Sequence, residues 1–575
     1  MIALPLSSFM LACGGSNIPP ASMPALDDGG DGNALVIEFF TPAAAVGSVI
    51  YVKTDKSIDE IEVHIADQLV NYIDTPGQGG LYPIPENLTA GAVTLGVRLV
   101  GASSDAATAT LVLTELLFED VASRVGLEQI HNTQSEANAC MPISTGVGSG
   151  DIDNDGDFDF FVGNLGVDSR FLKNIGDSDG DGLPNFEEAT SLVGLDGIKD
   201  VASVSFMDYD NDGDQDLFVG RWGPDMILQN RLIEDGIAEY QDVTAAMAFE
   251  TGERRTQGIG WGDFDGDGDL DFYLVRHSHC GLSDFEKRNP HDQLFRNDGD
   301  QFTDITSILS DDEGQISSLG FAALFLDYDL DGDQDLLVVN DDINIISRAN
   351  VLWRNDGPSD NDPNGWTFTD VSEESGFGIP NTLSEGGDAS DTHNAMGIAV
   401  GDINRDGFPD LTYTNIGPNI MLQNNGFGKF IDVSEEKGIS RTKLPWGNFS
   451  ITWGCQLLDF DNDMDLDVFY SGGRIDILSP YPNAMFRNDG DDAPWHNITW
   501  EAGLADMESG KATALCDLDR DGFMEFVVAN YDGPLRVYRN LQPNLGNSNH
   551  WLVVDLQGTV SNRDAIGSKI TIITA

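Results

Sequence analysis

The stretch Asp263-Phe-Asp-Gly-Asp-Gly-Asp-Leu-Asp271, followed by Phe272-Tyr-Leu-Val275, decides the fold. Carboxylates at positions 1, 3, 5 and 9 of this nonapeptide converge only if the backbone curls back on itself, and Gly268 at position 6 permits that turn without a Cβ clash. The apolar run behind it has the length of a β-strand. Six further copies occur: Asp151–Asp159, Asp208–Asp216, Asp327–Asp335, Asp402–Asp410, Asp459–Asp467 and Asp517–Glu525. Their first residues lie 55 to 75 positions apart, a spacing that suits a four-stranded unit with variable loops.

Two other markers keep the same period. Short hydrophobic strands end in Asn174, Asn230, Asn297, Asn355, Asn424, Asn488 and Asn540, and each unit opens on an aromatic run, at Phe118, Phe186, Tyr240, Phe302, Phe368, Phe430 and Trp495. All three markers give seven copies. A linear stack would expose strand edges at both ends, whereas a closed ring removes them. The expected fold is therefore all-β: a seven-bladed calcium-binding β-propeller over residues 116–545, preceded by a small β-sandwich-like domain at 33–115. The latter shows alternating β-rich runs such as Ser48-Val-Ile-Tyr-Val52 and Val93-Thr-Leu-Gly-Val97.

Hard oxygen donors in a flexible cage favour Ca²⁺, because Mg²⁺ retains its waters and Zn²⁺ prefers histidine or cysteine. The expected ligands are Asp151, Asp153, Asp155 and Asp159; Asp208, Asp210, Asp212 and Asp216; Asp263, Asp265, Asp267 and Asp271; Asp327, Asp329, Asp331 and Asp335; Asp402, Asn404, Asp406 and Asp410; Asp459, Asp461, Asp463 and Asp467; and Asp517, Asp519, Asp521 and Glu525. Asn404 removes one charge, Met464 replaces the turn glycine, and Glu525 reaches farther, so loops five, six and seven are expected to bind more weakly than the first four. The additional Asp157, Asp214, Asp269 and Asp333 are expected to face solvent. A different loop, Asp177-Ser-Asp-Gly-Asp-Gly-Leu-Pro-Asn-Phe-Glu-Glu188, has EF-hand-type spacing. Asp177, Asp179, Asp181, Asn185 and Glu188 are its candidate ligands, and with Pro184 it resembles the short calcium loops of thrombospondin type 3 repeats. About seven propeller sites plus this loop make Ca²⁺ the expected cofactor.

The 575 residues include 97 Asp plus Glu against 30 Lys plus Arg, a formal charge of −67. Such self-repulsion opposes compaction unless cations offset it, and it excludes nucleic acid as an expected partner. Residues 1–32 read as an export or lipoprotein signal remnant and linker. Their apolar run is too short to span a bilayer, and no other stretch is long enough. Leu11-Ala-Cys13-Gly14 resembles a lipobox, with Cys13 the acylated residue, although no basic residue precedes the run and the leucine sits one place closer than the pattern prefers. Cys140, Cys280, Cys455 and Cys516 stand at irregular offsets, so no zinc or redox motif exists, and disulfides and buried thiols both remain open.

On the acidic loops, the Leu294-Phe-Arg-Asn297-type strands and the segment from His550-Trp-Leu-Val-Val-Asp-Leu-Gln-Gly558 through Asn562-Arg-Asp-Ala-Ile-Gly-Ser568, the chain resembles the FG-GAP/VCBS-repeat family of integrin-α-like propellers. More narrowly it is similar to proteins related to cartilage acidic protein, with residues 546–575 similar to the start of an ASPIC/UnbV domain. That resemblance implies an extracellular or cell-envelope protein with a calcium-stabilised propeller and a recognition role.

Two clusters offer chemistry. His277, His279, Cys280 and His291 form a loop that could bind a transition metal or supply a base, against the plainer reading of a polar loop. Glu253, Arg254 and Arg255, with His393 in a later unit, could converge at one mouth of the ring and hold an anion such as a uronate beside calcium, against the plainer reading of separate surface residues. His393, Arg255, His277 and His279 are thus the weak catalytic candidates. The expected function is a secreted or envelope binding scaffold, with Cys13 its candidate lipid anchor, for an extracellular protein or glycan, and the alternative is a calcium-dependent carbohydrate-active enzyme such as a polysaccharide lyase.

Overall fold

The computed structural model describes residues 21–22, 37–39, 43–45, 48–54, 61–73, 79–85, 87–99, 107–128, 146–249, 254–277, 291–309, 320–341, 350–359, 365–378, 394–440, 450–473, 481–490, 494–531 and 533–572. Short antiparallel strands dominate. In the first repeated unit, Val147–Gly150 pairs with Asp159–Val162, then Arg170–Asn174, then Phe186–Glu188. Six more four-stranded units follow, with first strands Val201–Met207, Arg254–Gly262, Gly320–Leu326, Ile398–Gly401, Thr452–Leu458 and Gly510–Cys516. The second and third units also touch edge to edge through Trp222 and Arg255.

These first strands neighbour one another in cyclic order, and the seventh returns to Val147–Gly150. Strand pairing also closes the ring: the seventh sheet takes its outer strand from Phe118–Asp120, with Phe118 opposite Asn540. The chain is a β-propeller. Each opening aromatic run proves to be the outer strand of the preceding sheet, as Phe186–Glu188 is of the first. Sequence repeat and sheet are therefore out of phase by one strand, and that offset ties the two ends of the array together.

Alternation along the second strands explains the packing. Phe160 belongs to a core shared with the seventh unit, through Val527 and Val537, whereas Phe161 faces Leu217 and Val219 of the second unit. Analogous cores separate units two and three around Phe218 and Phe272, three and four around Tyr273 and Leu336, four and five around Leu337 and Leu411, five and six around Met421 and Val468, and six and seven around Phe469 and Phe526. Each second strand is covered on both faces, which is why it reads as a continuous apolar run.

Before the ring, a four-stranded and a five-stranded sheet enclose a common core that includes Ile50, Val52, Val63, Val97 and Leu111. Trp500 packs against this core from the sixth unit, and the Ala45 N–H donates to its carbonyl at 3.0 Å. Among the described residues no helix is long and apolar enough to cross a membrane. Cys455 and Cys516 are buried free thiols; Cys13, Cys140 and Cys280 lie outside the described residues.

Candidate metal centres

Each acidic nonapeptide joins the first and second strands of its unit and curls in one way. The position-1 carboxylate accepts the N–H groups of positions 5 and 6 at 2.7–3.1 Å in six loops. In the third loop Asp263 accepts from Gly268 at 3.2 Å. The position-5 carboxylate accepts the N–H of position 7 at 2.9–3.1 Å in all seven. Position 6 lies in the left-handed region throughout, at Gly156, Gly213, Gly268, Gly332, Gly407 and Gly522 and also at Met464, whose φ is 78°. The expected strain at Met464 thus takes the form of a side chain forced into a conformation that favours glycine.

The ninth carboxylate is the most buried. It starts the second strand, accepts the backbone N–H of the unit's closing asparagine at 2.7–3.2 Å, and so bridges second and third strands. Burial pushes Asp159 and Asp410 up to about 7, Asp335 up to about 8 and Asp467 up to about 9. Asp216, Asp271 and Glu525 lie well above the ordinary carboxylate range for the same reason. Five groups of three carboxylates in the first, second, third and EF-hand-type loops, one of them completed by Glu234, bring ligand oxygens within 4.8 Å of one another.

Position 3 decides whether a cation fits. Asp153 gives one oxygen to Lys173, Asp210 accepts from Gln229 at 2.6 Å, and Asp519 accepts from Arg539 at 2.6 Å. In each case the other oxygen is buried without a hydrogen-bond partner among the described residues, as are Oδ1 of Asp329 and Asp461, also at position 3, and of Asp263 at position 1. A buried carboxylate oxygen with no donor is strongly disfavoured. A cation bound by these all-oxygen sets would satisfy it, and the donor chemistry suits Ca²⁺.

Two structural roles were not legible in the sequence. Six closing asparagines donate Nδ2 to the position-2 carbonyl of the preceding unit's loop: Asn230 to Ile152, Asn297 to Tyr209, Asn355 to Phe264, Asn424 to Tyr328, Asn488 to Ile403 and Asn540 to Phe460, at 2.7–3.4 Å. Position 4 is the second. It too adopts positive φ, at Asn154, Asn211, Gly266, Leu330, Arg405, Asn462 and Arg520. From there Asn154, Asn211 and Asn462 donate to the position-6 carbonyl of the next loop at 2.9–3.0 Å. Arg405 reaches Asp465 at 2.9 Å, and Arg520 reaches Asp157 at 2.6 Å across the ring closure. The expectation that the seventh-position aspartates all face solvent therefore fails. Asp157 is an ion-pair partner, Asp269 accepts from Asn211, and Asp214 is buried and accepts the Ile233 N–H, while Asp333 is exposed.

In the EF-hand-type loop Asp177, Asp179 and Asp181 cluster, and Arg124 pairs with Asp181 at 2.9 Å. Asn185 Oδ1 accepts the Ser178 N–H at 3.0 Å, and Glu188 accepts the Thr190 N–H at 3.1 Å.

The other candidates sit at the far ends of the strands. Arg255 stacks over Trp222 at 4.5 Å, about 25 Å along its strand from Asp263 by the usual rise per residue. His277 is buried against Phe321, with Nε2 3.5 Å from Asp341, and His291 is exposed. Arg254 begins the same strand as Arg255. Glu253, His279, Cys280 and His393 lie outside the described residues.

The FG-GAP-like repeat family matches residues 263–338, the segment from the third acidic loop through the fourth and its following strand. Cartilage acidic protein 1 of Mus musculus is 26% identical over 438 residues, covering 64% of this chain and 64% of the relative. The Homo sapiens protein is 24% identical over 441 residues, covering 64% and 62%. The chain thus spans a little under two thirds of the length of these curated relatives. A solved lectin of Agrocybe aegerita that recognises non-reducing terminal N-acetylglucosamine superposes with a TM-score of 0.39 at 14% identity, covering 81% of this chain and all of that one. Residues 263–338 carry the FG-GAP-like repeat, and the chain is similar to cartilage acidic protein 1 along 64% of its length.

Proposed function

We propose that the seven units are the blades of a calcium-loaded propeller, secreted or held at the cell envelope, that serves as a binding scaffold for an extracellular protein or glycan. The observation that carries the metal part is the buried, partnerless carboxylate oxygen repeated at position 3 of five loops. Seven sets of converging carboxylates on a chain of charge −67 need divalent cations if the ring is to persist. Elemental analysis of protein purified without chelator tests this directly. About seven or eight calcium equivalents per chain are expected, falling by one in Asp329→Ala; zinc, or no metal, would contradict it.

Recognition is assigned to the face opposite the metal loops. There Trp222 and Arg255, both half-buried, stack at 4.5 Å, while Trp453, Lys511 and Phe321 form a buried cluster beneath that face. Aromatic faces backed by cations suit protein or glycan partners. Their distance from the loops separates recognition from calcium, so a reaction routed through a loop cation and Arg255 together has no geometric support. Glycan and protein arrays probed with wild type and Trp222→Ala, at matched melting temperature, provide the check. Loss of a specific signal is expected, and unchanged signal would place recognition elsewhere.

A further inference from the structure

After Asn540 the chain leaves the ring, and residues 547–572 run without a sheet partner among the described residues. Apolar burial holds them at one point among the described residues, where Ile566 packs on the core between units two and three, whereas Leu552, Val553 and Val560 are exposed. What they touch is the metal-loop face. Asn547 and Asn549 donate to the Asp461 carbonyl at 2.7 and 3.0 Å in loop six, and the Trp551 ring lies against Gly522 in loop seven. A methyl group on Gly268 would stand 2.7 Å from the Val560 carbonyl in loop three. In loop two the Arg563 N–H donates to Asn211 Oδ1 at 2.7 Å, its guanidinium covers Gly213, and Asp564 accepts the Asp208 N–H at 2.8 Å. Lys569 donates to the Gly407 carbonyl at 2.5 Å in loop five.

Four of the six turn glycines are therefore seats for this segment as well as hinges of their loops. Its partners are backbone groups of the loops and the Asn211 amide, presented with positions 4 and 6 of those loops in the left-handed conformation. We propose that the metal-loop face is a docking surface whose occupant is the chain's own segment 547–569, a strap that recognises the curled form of loops two, three, five, six and seven. Resting on the calcium reading above, the strap and the cations select the same loop conformation, so each strengthens the binding of the other.

Hydrogen exchange of the full chain, read on peptides covering 547–569 and 205–216, tests this in calcium and in chelator. In calcium, Trp551→Ala with Asp564→Ala is expected to speed exchange of 547–569 at least tenfold and to lower calcium affinity at loop two several-fold. Asp564→Asn, which keeps an acceptor for the Asp208 N–H, should stay near wild type. Equal strap exchange in wild type and the double variant would overturn the docking. Chelator should release the strap of the wild type together with the loops. If the loops open and the melting temperature falls while strap exchange stays slow, the coupling is wrong and the calcium reading stands. If chelator changes neither loops nor melting, the calcium reading falls and the coupling with it.

Discussion

Position 6 shows what one residue does in this architecture. Six loops place glycine in the left-handed region and one places Met464 there, half-exposed. Met464→Gly is expected to stabilise the protein by about 0.5–1 kcal/mol, the side-chain strain outweighing glycine's entropy. Gly332→Ala, where nothing lies within 4 Å of an added methyl, should destabilise by about 1 kcal/mol from its φ of 103° alone. Chemical denaturation of both variants checks the pair. The glycine was legible in the sequence because it recurs. Position 4 was not, because Leu330, Arg405 and Arg520 are poor left-handed residues and only the ring reveals that their neighbours reach the next loop. Titration belongs to this scale too. Held above the ordinary range by burial, Asp159 at about 7 and Asp335 at about 8 keep their protons in the folded, cation-free chain while the unfolded chain ionises near 3.8. The folded state then binds more protons between pH 4 and 8, so stability is greatest below that window and falls as pH rises through it. A bound cation requires the ionised form and reverses the slope. Chelated protein should melt higher at pH 5 than at pH 8, and calcium-loaded protein lower, as paired thermal scans would show.

At the scale of the element, the closing asparagine fastens one unit's third strand to the previous unit's acidic loop. Its recurrence was plain from the sequence, but its role depends on residues 78 to 96 positions away, such as Asn355 to Phe264, and no local pattern encodes that. Asn355→Ala leaves the Phe264 carbonyl short of a donor and should cost about 1–3 kcal/mol, measured by denaturant titration. Buried charge fastens another junction. Arg276 and Asp225, both wholly buried, pair at 2.7 Å between the second and third units, with Gln293 accepting from the same guanidinium at 2.8 Å. Asp225→Ala strands that guanidinium and should cost about 3–5 kcal/mol by the same assay, whereas replacing the pair with apolar residues should cost less.

At the scale of the whole molecule, closure has three layers: Phe118–Asp120 completing the seventh sheet, the core shared by units seven and one, and Arg520 of loop seven pairing with Asp157 of loop one. The count of repeats and their phase made the ring legible, because an array that opens on an outer strand and ends on a third strand closes by pairing its ends. The loop-to-loop bonds and the strap were hidden, since both join residues whose proximity only the closed ring creates. The central claim is that divalent cations hold this acidic ring together. A site filled at a hundred times its Kd contributes about 2.7 kcal/mol, so several sites together rival the stability of a typical domain. The most direct measurement is the melting temperature of the full chain before chelation, after exhaustive chelation, and after calcium is restored. The account predicts a large fall with loss of β-sheet signal and recovery on calcium addition; an unchanged melt after chelation, in protein that carried no bound cation beforehand, would contradict it.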